Sequence, residues 1–126
     1  MASEATTSAI RVRPVAGRSD QKTFIDFPYT FYPDAYPQWV PPLRREVSHT
    51  LDPSKNAFFE HGEIQLFLAE REGQVVGRIA AIINGMHLKK YDDANGFFGF
   101  FECVEDYAVA EALLDTAVGW LQENGM

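Results

Sequence analysis

At 126 residues the chain has room for one domain with a real core, and with 46% apolar residues it reads as a folded globular unit rather than a disordered one. A formal net charge of −7 argues against nucleic acid and anionic membrane as partners, because Arg11, Arg13 and Arg18, the pair Arg44 and Arg45, and the pair Lys89 and Lys90 form no dense patch along the chain. Cys103 is the single cysteine, the opening MASEATTSA lacks a basic and apolar leader pattern, and no run reaches membrane-span length, so the expected setting is the cytoplasm.

Residues 1–9 read as a disordered tail ahead of a domain over residues 10–126. IRVRPV, Ile10 to Val15, alternates apolar and basic residues like a short edge strand, with Pro14 tolerated near its end. SDQKTFIDFPYTFY offers Ser19 or Asp20 as an N-cap and Phe24, Ile25 and Phe27 as one apolar face of a helix that Pro28 should end or kink. A segment rich in proline and aromatics follows. It becomes helical from about Pro42 to Leu51, since proline suits a first helical turn.

DPSKNAFFEHGE reads as a connecting loop. EIQLFLAE and QVVGRIAAIIN are two strands of a hairpin closed by Arg71, Glu72 and Gly73, and their nearly continuous apolar character predicts cover on both faces of the sheet. GMHLKKYDDAN is expected as a polar loop. It leads into the aromatic strand Phe97 to Cys103. The last element, Asp106 to Asn124, repeats Val109, Leu113, Leu114, Ala117, Val118 and Leu121 at helical spacing, with Asn124 and Gly125 as its C-cap.

Phe98, Gly99 and Phe100 followed by a helix match part of an RNA-recognition strand, but the basic residue ahead of it, the strand count and the charge do not fit. The whole order fits another family better. FIDFPYTFYPDAYPQWVPPL, LDPSKNAFFEHGEIQLFLA, GRIAAIIN and GFFGFFECVED resemble the N-terminal part of GNAT-superfamily N-acetyltransferases, within a bacterial branch of uncharacterised proteins longer than this chain. The resemblance implies an α/β fold with a mixed sheet and helices on both faces, truncated after the third helix. It implies acetyl-CoA as donor and a small-molecule or peptide amine as acceptor.

In that superfamily the pantetheine arm pairs with the fourth strand and the pyrophosphate sits on the next helix N-terminus. Carried over by position, Phe101, Cys103 and Val104 face the pantetheine, and the N–H groups of Tyr107, Ala108, Val109 and Ala110 the pyrophosphate. Gly99 is expected to allow a bulge or close backbone approach. The family's loop has Gln or Arg, two residues, Gly, one residue, then Gly or Ala. This chain reads EDYAVA, so Glu105 and Ala108 depart from it, and Asp106 as an N-cap would compete for the N–H groups.

Glu102 is the candidate catalytic base, set against an ordinary exposed strand carboxylate. The family's acid comes from later elements, and the chain is expected to stop short of them, leaving Phe97 to Cys103 as an apolar edge open to self-association. Trp39, Tyr29, Tyr32 and Tyr36 either line an acceptor pocket or pack a proline-rich crossover. His61 and Glu63 have deaminase-like spacing but lack the cysteine partners of a zinc site, and Cys103 has no histidine at nucleophile spacing.

Overall fold

A computed structural model describes residues 9–126, so the expected tail falls, except for Ala9, outside the described residues. The strands are β1 (Arg11–Pro14), β2 (Gly62–Arg71), β3 (Gln74–Asn84) and β4 (Phe97–Cys103), in that order across one antiparallel sheet. The helices are α1 (Gly17–Ala35), α2 (Arg44–Thr50), α3 (Gly85–Tyr91) and α4 (Tyr107–Glu123), and a 3-10 turn spans Ala57–Glu60. The architecture is therefore mixed α/β. It differs from the expectation in two ways: the described strands form no parallel pair, and the final helix is the fourth rather than the third.

The extra helix is α3, where a polar loop was expected. Asn84 caps it by accepting from the N–H of His87, and Asp92 ends it in the left-handed region at φ 50°. The β2–β3 turn places both Glu72 (φ 55°) and Gly73 (φ 77°) at positive φ, the two-residue geometry whose twist matches a hairpin. Pro14 is the last residue of β1, where a missing N–H costs least.

Alternation along β2 and β3 divides the core. Phe67, Ala69, Ile79, Ala81 and Ile83 face α4, whose Val109, Leu113, Ala117 and Leu121 recur every four residues and are buried. Leu68 and Ala80 face the other side, against Phe24 and Ile25 of α1 and Leu51. Each fully buried branched side chain here contributes about 1.5–3 kcal/mol of transfer free energy, so these two seams fix how α1 and α4 sit on the sheet.

Helix α1 does not end at Pro28. It continues through Pro28 and Pro33 to Ala35. The proline at 28 removes the donor that would serve the carbonyl of Phe24, and the buried side chain of Arg78 supplies one instead, Nη1 to O at 2.8 Å.

Candidate functional site

The aromatic strand β4 is an edge: among the described residues only β3 pairs with it. Its register with β3 runs Ala80↔Gly99 and then Arg78↔Glu102, so Phe100 and Phe101 together stand opposite Ile79 as a β-bulge. The positive φ of the bulge, 51°, belongs to Phe100 and not to Gly99, which pairs in register. An L-residue there is strained by about 1–3 kcal/mol, and two contacts hold it. The Phe100 carbonyl accepts from Arg78 Nε at 3.1 Å, and its ring meets that of Phe24 edge-on at 6.2 Å.

Arg78 is only 6% exposed and has no carboxylate partner among the described residues. Its guanidinium lies between the rings of Phe24 and Phe100, at 4.9 and 5.6 Å, and burial pulls its pKa down to about 10. A lone cation inside GRIAAII was the sequence signal for this residue. Its partners could not be read there, because both are main-chain carbonyls from distant elements.

Glu102 stands opposite Arg78 in the ladder but makes no ion pair with it, since the guanidinium is turned to the carbonyls. It is half-buried, and burial pushes its carboxyl above the usual carboxylate range. That is the direction a general base working near neutrality requires. Phe101, Cys103 and Val104 instead pack into the α4-side core, so they offer an edge ligand main chain rather than side chains. Burial, then the charges of Glu102 and Asp106, push the Cys103 thiol up, which leaves it a weak nucleophile.

At the start of α4, Asp106 occupies three of the four N–H groups assigned to the pyrophosphate, those of Ala108, Val109 and Ala110. Its Oδ1 accepts from Ala108 N at 3.0 Å, and its carbonyl accepts from Val109 N at 3.0 Å and Ala110 N at 3.2 Å. Its other carboxylate oxygen pairs with Arg71 Nη1 of the hairpin at 2.6 Å, which holds the carboxyl below the usual range. Val109 is buried in the core while Tyr107 is 80% exposed. The β4 edge fits an extended arm by its main chain; the helix start does not fit a diphosphate while Asp106 caps it.

Glu105 accepts a hydrogen bond from the Tyr36 hydroxyl, which raises the pKa of Tyr36. This bond brings the loop after α1 to the start of α4. Trp39 contacts the rings of Tyr29 and Tyr32 at 5.5 and 5.0 Å, so these aromatics largely pack on one another beside that junction. His61 and Glu63 belong to no metal-binding cluster among the described residues. Neither the Tyr36–Glu105 bond nor the Arg71–Asp106 pair has a local sequence signature.

No family model and no solved structure matches the chain. Among curated proteins it is 39% identical over 114 residues to Protein YghO of Escherichia coli (strain K12), covering 90% of this chain and 29% of that protein. It is 36% identical over 123 residues to the Bacterial ceramide synthase of Caulobacter vibrioides (strain NA1000 / CB15N), covering 97% of this chain and 32% of that protein. The chain thus spans about a third of the length of the curated relatives it matches.

Proposed function

We propose that the chain is the N-terminal part of a cytoplasmic GNAT-like N-acyltransferase whose β4 edge receives the arm of an acyl-CoA donor such as acetyl-CoA. The observation that carries this reading is the bulged edge strand β4 running into the capped helix α4. A bulge next to an open edge interrupts the ladder and exposes main-chain groups where an extended ligand can pair. Glu102, with its raised pKa, takes the proton from an attacking small-molecule or peptide amine. A ceramide is an amide, so the name of the Caulobacter relative supports N-acyl transfer as the reaction class.

One observation favours a second reading, a catalytically silent scaffold that self-associates through β4. Asp106 takes three N–H groups at the helix start, and Glu105 beside it adds a second carboxylate where a diphosphate would lie. Native mass spectrometry of the chain with and without acetyl-CoA separates the two. Uptake of one ligand per chain supports the acyltransferase, whereas an assembly that takes up none supports the scaffold.

A further inference from the structure

The sequence scatters the cations of this acidic chain, yet the fold gathers four of them. Helices α1 and α2 flank an open groove of about 1000 Å³. On α1 the groove stripe is Arg18, Lys22 and Ile25, and on α2 it is Arg44, Arg45 and Ser48, at helical spacing. Two neighbouring helices ordinarily close such a seam with apolar side chains. Here only Ile25 is buried, and the rest of these six are exposed polar groups.

The charges do not cancel. Asp26 and Asp52 are the acids of the lining, against four cations. Asp26 pairs with both Lys22 and Arg44, and Asp52 accepts from Ser54. Arg18 and Arg45 have no acid partner among the described residues. Arg44 is held ready: its Nε lies 3.0 Å from Asp26 and its guanidinium 3.9 Å above the Tyr29 ring, so both Nη groups keep their donors for another acceptor. The fixed guanidinium fork of Arg44, with the exposed Arg18, Arg45 and Ser48 hydroxyl along the same groove, matches a phosphate group. A volume in the small-ligand range, with no basic track leading out among the described residues, fits a small phosphate ester rather than a polyanion.

We propose that the groove between α1 and α2 is a binding site for a phosphate ester, held by Arg18, Arg44 and Arg45. This site is independent of the acyl-transfer reading, because none of its residues belongs to β4 or α4. The ester belongs either to a soluble metabolite or to a lipid headgroup at a membrane surface. Four of the chain's eleven Lys and Arg residues line this one groove, and such a local excess of positive charge on a net negative chain draws an anion toward it.

The test follows the amide spectrum of the 126-residue chain during titration with inorganic phosphate at low ionic strength. In parallel, cosedimentation is measured with phosphatidylcholine vesicles with and without phosphatidylglycerol. Three chains are compared: the original, Arg18→Gln with Arg45→Gln, and Lys89→Gln with Lys90→Gln, which loses the same charge elsewhere on the surface. Exposure of all four side chains leaves each variant able to fold, which circular dichroism checks. Saturable shifts at the groove amides, weakened about tenfold or more by the Arg18 and Arg45 changes and unaffected by the lysine changes, support the site and a soluble ligand. Phosphatidylglycerol-dependent sedimentation with the same variant pattern, and no response to phosphate, supports a headgroup. Absence of both responses, or equal weakening in the two variants, overturns the proposal.

Discussion

Arg78 donates from Nη1 to the carbonyl of Phe24, the acceptor that Pro28, four residues on, cannot serve. The same guanidinium donates from Nε to Phe100, the strained residue of the β4 bulge. One buried cation therefore connects the proline inside α1 to the deformation of the edge strand, and this explains how the sheet keeps a charge that forms no ion pair with Glu102 opposite it.

Replacing Arg78 with methionine keeps most of the volume but leaves both carbonyls unserved. The expected loss is about 2–6 kcal/mol, from about 1–3 kcal/mol for each of the two orphaned buried acceptors, read from urea unfolding. In a Pro28→Ala background the new N–H takes over Phe24 O, so Arg78→Met costs less there. Equal costs in both backgrounds would show that the Phe24 carbonyl is not what Arg78 supports.

Gly77 lies where β3 passes under α4. A Cβ at that position would come within 2.7 Å of Leu113 Cδ1 and 2.8 Å of Cys103 Cβ. Gly77→Ala should therefore destabilise the chain by about 1–3 kcal/mol through overpacking. Truncating Leu113 to alanine costs about 2–5 kcal/mol alone but makes room for the added methyl group. Thermal unfolding of the two single variants and the double should show a combined loss smaller than the sum; strict additivity would exclude the Leu113 clash as the cause and leave the approach to Cys103.

Asp106 has a folded-state pKa depressed first by the Arg71 hydrogen bond and then by the Ala108 N–H. A depressed carboxylate stabilises the fold at pH values above its unfolded pKa, near 3.9, and that contribution is lost as pH falls through the lower folded value. Asp106→Asn keeps a cap acceptor but cannot titrate, so its urea midpoint should fall less steeply between neutral and acid pH than that of the parent. Asp20, depressed by Arg13 and the Ala16 N–H, titrates in the same window in both proteins, so the difference between them isolates Asp106. Identical acid limbs would remove the Arg71 pair from the stability of α4.

Periodicity carried the strands and α4 because their apolar spacing is what the core uses: Val109, Leu113, Ala117 and Leu121 could be placed before any coordinate. Pro28 misled because the rule that proline ends a helix assumes no other donor, and the donor lies on β3. Gly99 misled similarly, since Arg78 and Phe24 stabilise a positive φ at Phe100 that glycine would take more easily. The place of Glu102 on β4 and the Asp106 cap were legible because strand position and N-cap chemistry are local. The pairs Tyr36–Glu105 and Arg71–Asp106, and the cation groove, depend on tertiary proximity and leave no local pattern.

Glu102 has its carboxyl pushed up by burial, so the folded chain favours its protonated form. The stability this contributes is complete below the unfolded pKa and is lost as pH rises through the folded one. Glu102→Gln should therefore stabilise the chain slightly at neutral pH, by about 0.5 kcal/mol or less after screening by solvent, and leave it unchanged in acid. If Glu102 is the base of an acyltransferase, the same change in a longer parent protein abolishes the rise of kcat/KM with pH and spares donor affinity. A variant that keeps the full pH profile would return Glu102 to the role of a strand carboxylate.

The free edge of β4 exposes Phe97 and Phe98, 40% and 55% accessible, and Val118 of α4 is 48% accessible. Natural sheets seldom leave such an edge uncovered, because unpaired main chain beside apolar side chains recruits another strand. A second copy of this chain presents the same edge, and two such edges pair antiparallel about a twofold axis. Phe98→Lys places a charge on that edge and gives up only the edge-on contact with Phe101, so it should shift the chain toward monomer in sedimentation equilibrium while lowering the unfolding stability by about 1 kcal/mol or less. A parent that is already monomeric across the accessible concentration range would exclude β4 as a self-association surface. The edge would then remain free for the extended arm of an acyl donor.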